Sequence, residues 1–144
     1  MIIFLLAILA TACFIDIRTK IIPDWLSVGG IIIGIIGNFF ISKPFDPILG
    51  IVIAGGGLYV IGMIGDHSYN MPLFGGGDIK LMAAIGAIAG PSIAMATLAI
   101  TLLYGIFQGF LFRIYLKKEE SMPYSPSIAL GTLTSIFIVR YYGI

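Results

Sequence analysis

Asp78 follows three glycines, Gly75-Gly76-Gly77, and stands at the mouth of a long apolar stretch. An ionisable group there is a candidate functional group, because charge near hydrocarbon is costly. The glycines let another backbone approach closely and permit positive φ. One carboxylate alone does little chemistry at neutral pH. Two carboxylates brought close cannot both ionise cheaply, so they share a proton and titrate as a pair. The ionised member can take a proton from water. The protonated member can polarise a carbonyl and later donate to a leaving amine. That is aspartyl proteolysis, which needs neither metal nor organic cofactor.

Asp16 is the candidate partner, and the helices explain why. A membrane-spanning helix needs ~20 apolar residues, with ~17 as a minimum. Uncharged runs cover residues 1–15, 25–42, 47–65, 81–112 and 121–139. The first extends to about Ile17. It lacks the basic start and small-residue cleavage site of a signal peptide, which favours a retained helix. Pro23 suits the first turn of the second helix, and Trp25 an interfacial depth. Gly29, Gly30, Gly34 and Gly37 recur at spacings that favour close helix contact. The third helix covers roughly 47–64 and includes Gly55-Gly56-Gly57. The 81–112 run is too long for one span, and Gly90-Pro91 divides it into helices near 79–90 and 91–116. A single kinked helix is the alternative. The sixth helix follows Pro123-Tyr124-Ser125-Pro126 and ends near Arg140.

These readings predict an all-α integral membrane protein, a bundle of about six helices in one domain over residues 1–144. With the N-terminus outside, the inner loops hold Arg18, Lys20, Lys80, Arg113, Lys117 and Lys118, and the outer turns only Lys43 and Arg140. That asymmetry follows the positive-inside rule. It places Asp16 and Asp78 at one depth, on the cytoplasmic side of the cell membrane.

Composition narrows the classes. Of 144 residues, 59% are hydrophobic and 10% charged, against ~25% charged in soluble domains. Mean hydropathy is +1.09. The net charge of +1 carries no nucleic-acid footprint. One cysteine, Cys13, and one histidine, His67, exclude an internal disulfide and a Cys- or His-based metal site. The glycine run lacks the GxxxxGK[ST] pattern, and Lys80 stands where GxGxxG needs its last glycine, so nucleotide binding is not expected.

Blander readings stand beside the dyad. Asp78 could simply cap its helix. Asp16 could pair with Arg18 or Lys20. Asp24 and Asp66 are rival partners, although Asp24 looks like a helix cap and Asp66 more exposed. A small transporter or assembly subunit could use the aspartates as a proton or ion relay. Such a relay would sit near the midplane, whereas these residues sit at an edge.

At these residues the chain resembles the type IV prepilin peptidases, a branch of the GxGD intramembrane aspartyl proteases that is related to archaeal preflagellin peptidases. Gly75-Gly76-Gly77-Asp78 fits GxGD. The stretch from Asp16 through Ile22-Pro23 to Leu26 looks like the family's other signature. Met122-Pro123-Tyr124-Ser125-Pro126 resembles a third element, with Ser125 where glycine is usual. The resemblance implies that Asp16 and Asp78 are the catalytic pair, with no cofactor. It implies cleavage of the basic leader from type IV pilin-like or archaellin-like precursors at the cytoplasmic face. Glycines 75–77 would leave room for an extended substrate backbone. Longer members carry a Cys tetrad and methylate the new N-terminus; with Cys13 alone, the expectation is the peptidase-only form.

Overall fold

The computed structural model describes residues 1–69, 74–115 and 124–143, without the side chains of 66, 68, 69 and 112–115. Its elements are helices: α1 (Ile2–Thr19), α2 (Asp24–Phe40), α3 (Asp46–Ile51), α4 (Gly57–Tyr69), α5 (Gly76–Ala89), α6 (Pro91–Tyr115) and α7 (Ser125–Tyr142). A π-turn, Val52–Gly56, joins α3 to α4 without interruption, so the described residues form six helical runs. The spans Ile2–Thr19, Asp46–Gly65 and Pro91–Leu111 are long and apolar enough to cross a membrane. Large apolar side chains such as Ile3, Phe40, Phe107 and Phe137 face outwards, as in a protein solvated by lipid. The chain is an α-helical integral membrane protein.

α5 is the axis of the packing. At 14 residues it rises only ~21 Å, short of a ~30 Å hydrocarbon core. Every residue from Leu81 to Ile88 is buried. Small residues permit this on two faces. Towards α2, a side chain at Gly30 would meet the Ala84 Cβ at 2.9 Å, and one at Gly34 the Ala87 carbonyl carbon at 2.6 Å. Towards α3 and the π-turn, Gly50 lies directly on the Gly86 carbonyl, and a side chain at Gly55 would meet the Ala83 Cβ at 2.8 Å. Close backbone approach is what small residues provide between membrane helices. Gly55 and Gly56 end the π-turn, a local insertion rather than a plain helix, and Gly57 opens α4.

The Gly90-Pro91 break falls where the sequence predicts. Gly90 takes φ +83°, and α6 starts at Pro91. Pro91 has no N–H to offer the Ala87 carbonyl one turn back. Buried Asn38 supplies the missing donor, giving side-chain N–H groups to Ala87 at 3.0 Å and to Gly34 at 2.9 Å. Asn38→Leu should therefore lower stability by about 1–3 kcal/mol, because it orphans a buried acceptor. Thermal unfolding in detergent would register this. An unchanged midpoint would mean the carbonyl finds another partner.

Two boundaries differ from expectation. α5 starts at Gly76, three residues earlier than predicted, because Gly76 and Gly77 take ordinary helical angles. None of the three glycines has positive φ; Gly90 and Gly143 do. The third run starts at Asp46 and continues to Tyr69, past the predicted end near 64.

Candidate active site

Asp16 lies in the last turn of α1. That helix closes with Lys20 in the left-handed conformation (φ 56°), its N–H on the Asp16 carbonyl at 2.8 Å. The Asp16 side chain is 5% exposed. Its Oδ2 accepts the backbone N–H of Ser125 at 3.1 Å. Ser125 is the first residue of α7, where backbone donors have no partner within the helix and the dipole favours an anion. The third sequence element is thus tied to the first.

Asp78 occupies the third position of α5 and is 9% exposed. Its Oδ2 accepts the Gly75 N–H at 3.1 Å, the return half of a capping box. Asp78 therefore does cap its helix, though from inside the first turn. A cap does not require burial, and here burial dominates. It pushes the Asp78 carboxyl up to about 6; the Gly75 N–H acts in the opposite direction, and the Asp16 charge raises it further. The two carboxylates thus sense each other. Among the described residues no hydrogen bond joins them, and each is held by a backbone N–H instead.

The three glycines meet different surroundings. Gly75 lies over the carboxylate: a side chain there would come within 3.3 Å of Asp78 Oδ2. Gly76 faces open space. Gly77 makes room for Ile22, whose Cβ lies 3.0 Å from where a side chain would begin. Ile22 is buried, so this contact ties the loop after Asp16 to the start of α5.

Tyr124 and Phe74 complete the rim, and sequence reasoning does not single out either as a site residue. Their rings meet edge to face at 4.9 Å. The Tyr124 ring also rests on Gly105, where a side chain would come within 2.7 Å of Cε1. Burial, then the charge of Asp78, raises the Tyr124 phenol above its usual value. The Pro-Tyr-Ser-Pro turn is the only sequence signal for this corner. A backbone donor such as Ser125 N–H leaves no residue signature at all.

The rival acids stand apart. Asp24 begins α2 without capping it and pairs with Lys80 at 2.7 Å. Lys80 is not among the charges acting on Asp78. Both partners are largely exposed, so the pair is worth at most about 1 kcal/mol. Lys80→Ala and Asp24→Ala should each change cleavage by less than about threefold in an assay with a prepilin substrate. A loss like that expected for Asp78 would place the pair in the chemistry. The Asp66 side chain, Glu119 and Glu120 lie outside the described residues, as do most of the 117–125 loop and residues 70–73. Among the described residues no group of three His, Cys, Asp or Glu could hold a metal.

Two buried carboxylates at one end of a helical bundle, on motifs from two parts of the chain and with a third part donating the Ser125 N–H, can be set against known proteins. The type IV leader peptidase family matches residues 3–114. The chain belongs to that family. A prepilin leader peptidase/N-methyltransferase of Legionella pneumophila is 28% identical over 94% of this chain and 50% of its own length. A type 4 prepilin-like proteins leader peptide-processing enzyme of Escherichia coli O78:H11 is 24% identical over 90% of this chain and 48% of its own. A prepilin leader peptidase/N-methyltransferase of Haemophilus influenzae is 35% identical over 59% of this chain and 35% of its own. The chain thus spans about half, or less, of the curated relatives it matches. No solved structure matches it. Within the type IV leader peptidase family match lie both Asp16 and Asp78; Tyr124 and Ser125 lie beyond its end.

Proposed function

We propose that this chain is a membrane aspartyl endopeptidase that removes the basic leader from type IV pilin-like, or archaellin-like, precursors. The observation that carries the reading is the pair itself: Asp16 and Asp78 are both buried, each is anchored by a backbone N–H, and Asp78 senses the Asp16 charge. With the pair's proton on Asp78, Asp16 is the base. Asp16 takes a proton from water while the water oxygen attacks the scissile carbonyl. The Asp78 hydroxyl donates to that carbonyl oxygen as it gains charge. The tetrahedral adduct then collapses. The C–N bond breaks, the amine leaves with a proton from the dyad, and the pair regains its single shared proton. No metal or organic cofactor takes part.

The excess of Lys and Arg on the loops at the dyad's end supports a cytoplasmic orientation. A precursor's basic leader would stay in the cytoplasm while its apolar helix lies against the bundle. The cut would then fall at the interface, beside the dyad. Gly75 and Gly76 leave the space over Asp78 free for an extended substrate strand, and Gly77 serves by seating Ile22. The relatives' names couple the peptidase with an N-methyltransferase; we assign only the hydrolysis to these residues. A proton or ion relay would use acids near the midplane, and this pair sits at helix ends.

The test is cleavage by the purified chain in detergent of a precursor with a basic leader before an apolar helix, read by mass spectrometry. The expected product begins at a single new N-terminus next to the apolar helix. An intact precursor after prolonged incubation, with correctly folded enzyme, would overturn the reading.

A further inference from the structure

Ser125 brings a second polar group to the corner of the dyad. Its backbone N–H holds Asp16 Oδ2 at 3.1 Å. Its side-chain hydroxyl has no hydrogen-bond partner, although the residue is only 1% exposed. An unpaired buried hydroxyl costs free energy and needs a physical reason. Ser27, Thr97 and Thr101 also carry unpaired buried hydroxyls, but Ser125 is the one anchored to a carboxylate of the dyad. The helix explains why its own carbonyls do not satisfy this group. Thr132 and Ser135, deeper in α7, give their hydroxyls to the carbonyls of Ile128 and Gly131 one turn back. Ser125 is the first residue of α7 and has no helical turn before it. Three bonds of about 1.5 Å separate Oγ from the serine nitrogen, so Oγ stays within about 4 Å of the N–H that Asp16 accepts. One rotation about Cα–Cβ, from one staggered position to another, redirects it.

We propose that Ser125 is the positioning residue of the base: in the substrate complex its hydroxyl turns to donate to the Asp16 carboxylate, beside the N–H already there. The inference rests on the leader-peptidase reading, in which Asp16 takes the proton from water. A carboxylate held at one point can swing about its side-chain bonds. Held by two donors of one residue, it presents a fixed oxygen to the water. Catalytic hydrogen bonds often close only once substrate is bound, and a charged acceptor strengthens this one. The hydroxyl keeps its proton throughout, so no bond is made or broken at Ser125. Glycine, usual at this place in the sequences that the chain resembles, has no hydroxyl to give. The second donor is therefore this chain's own feature, and its loss should slow cleavage without abolishing it.

The experiment is steady-state cleavage of the precursor by Ser125→Ala and Ser125→Thr, with melting of each protein in detergent. Ser125→Ala keeps the N–H and removes only the hydroxyl. Its kcat should fall about tenfold, the effect of one hydrogen bond made in the transition state, with KM within about twofold of wild type. Its melting midpoint should equal or exceed that of wild type, because an unpaired buried hydroxyl is gone. A hydroxyl that merely supported the fold would lower the midpoint instead. Ser125→Thr restores the hydroxyl, so its kcat should stand at least about fivefold above that of the alanine variant. An alanine kcat within about threefold of wild type, a rise in KM alone, or a midpoint that drops together with kcat would overturn the inference and leave the peptidase standing. Threonine as slow as alanine at an unchanged midpoint would do the same. A wild-type chain that cleaves no precursor removes the parent reading and this inference with it.

Discussion

Asp78→Asn should leave no measurable cleavage, a loss of at least about 10³-fold, since acid–base groups acting as a unit are not replaced singly. Asp16→Asn should behave alike. The same Asp78 variant should be more stable than the wild type above neutral pH. Burial holds the Asp78 carboxyl at about 6 against an ordinary value of 3.8. At pH values below the ordinary one, folded and unfolded chains both keep the proton and nothing distinguishes them. Between the two values the unfolded chain releases its proton while the folded chain retains it, so stability falls as pH rises. Above about 6 the deficit is complete, on the order of 2–3 kcal/mol. Asparagine has the shape of aspartate and no charge to bury, and its carbonyl oxygen can still accept from Gly75. Melting curves of both proteins in detergent should therefore converge near pH ~4 and separate by pH ~8. Cleavage and stability would move in opposite directions, which a merely structural cap would not do. If Asp78→Asn still cleaved normally, the dyad assignment would fail.

The shared depth of Asp16 and Asp78 is legible in the amino-acid pattern alone, for a simple reason. In a membrane protein the length of apolar runs fixes depth, so helix parity brings distant residues to one edge. Gly90-Pro91 is equally plain, because proline removes a donor and glycine accepts the left-handed turn. What stays hidden depends on contacts across helices. Nothing in the pattern says that Ser125 N–H points at Asp16, since every residue but proline has that group. Gly77 and Gly75 look alike in sequence, yet one seats Ile22 and the other covers Asp78. None of the three uses the positive φ that glycine permits: Gly75 and Gly77 serve close approach, and Gly76 faces open space. Asn38 reads as an isolated polar residue in an apolar run. Its purpose emerges only once α2 lies against the carbonyl that Pro91 leaves unpaired.

The contact of Gly50 with Gly86 should be the least tolerant place in the fold. Each glycine lies where the other's side chain would have to go, and the obstacle on both sides is a backbone carbonyl. A flexible side chain could step aside; a helix backbone cannot without moving the whole helix. Overpacking a core costs about 1–3 kcal/mol when side chains can adjust. Gly86→Ala and Gly50→Ala should exceed that range, because α3 and α5 must separate along their length. Gly29→Ala is the matched control. Gly29 is also helical, has nothing within 4 Å of a new side chain, and should gain roughly 0.5–1 kcal/mol from reduced backbone freedom. The folded fraction recovered in detergent and the unfolding midpoint should fall sharply for Gly86→Ala and hold or rise for Gly29→Ala. Cleavage should separate them too. α5 carries Asp78 at its end, and a displacement of about 1 Å in a reacting group can cost about 10²-fold. Any Gly86→Ala protein that does fold should therefore cleave poorly, whereas Gly29→Ala should cleave at the wild-type rate. Equal stability and equal cleavage in the two variants would show that α5 is not held by this backbone contact, and that the depth of Asp78 is set elsewhere.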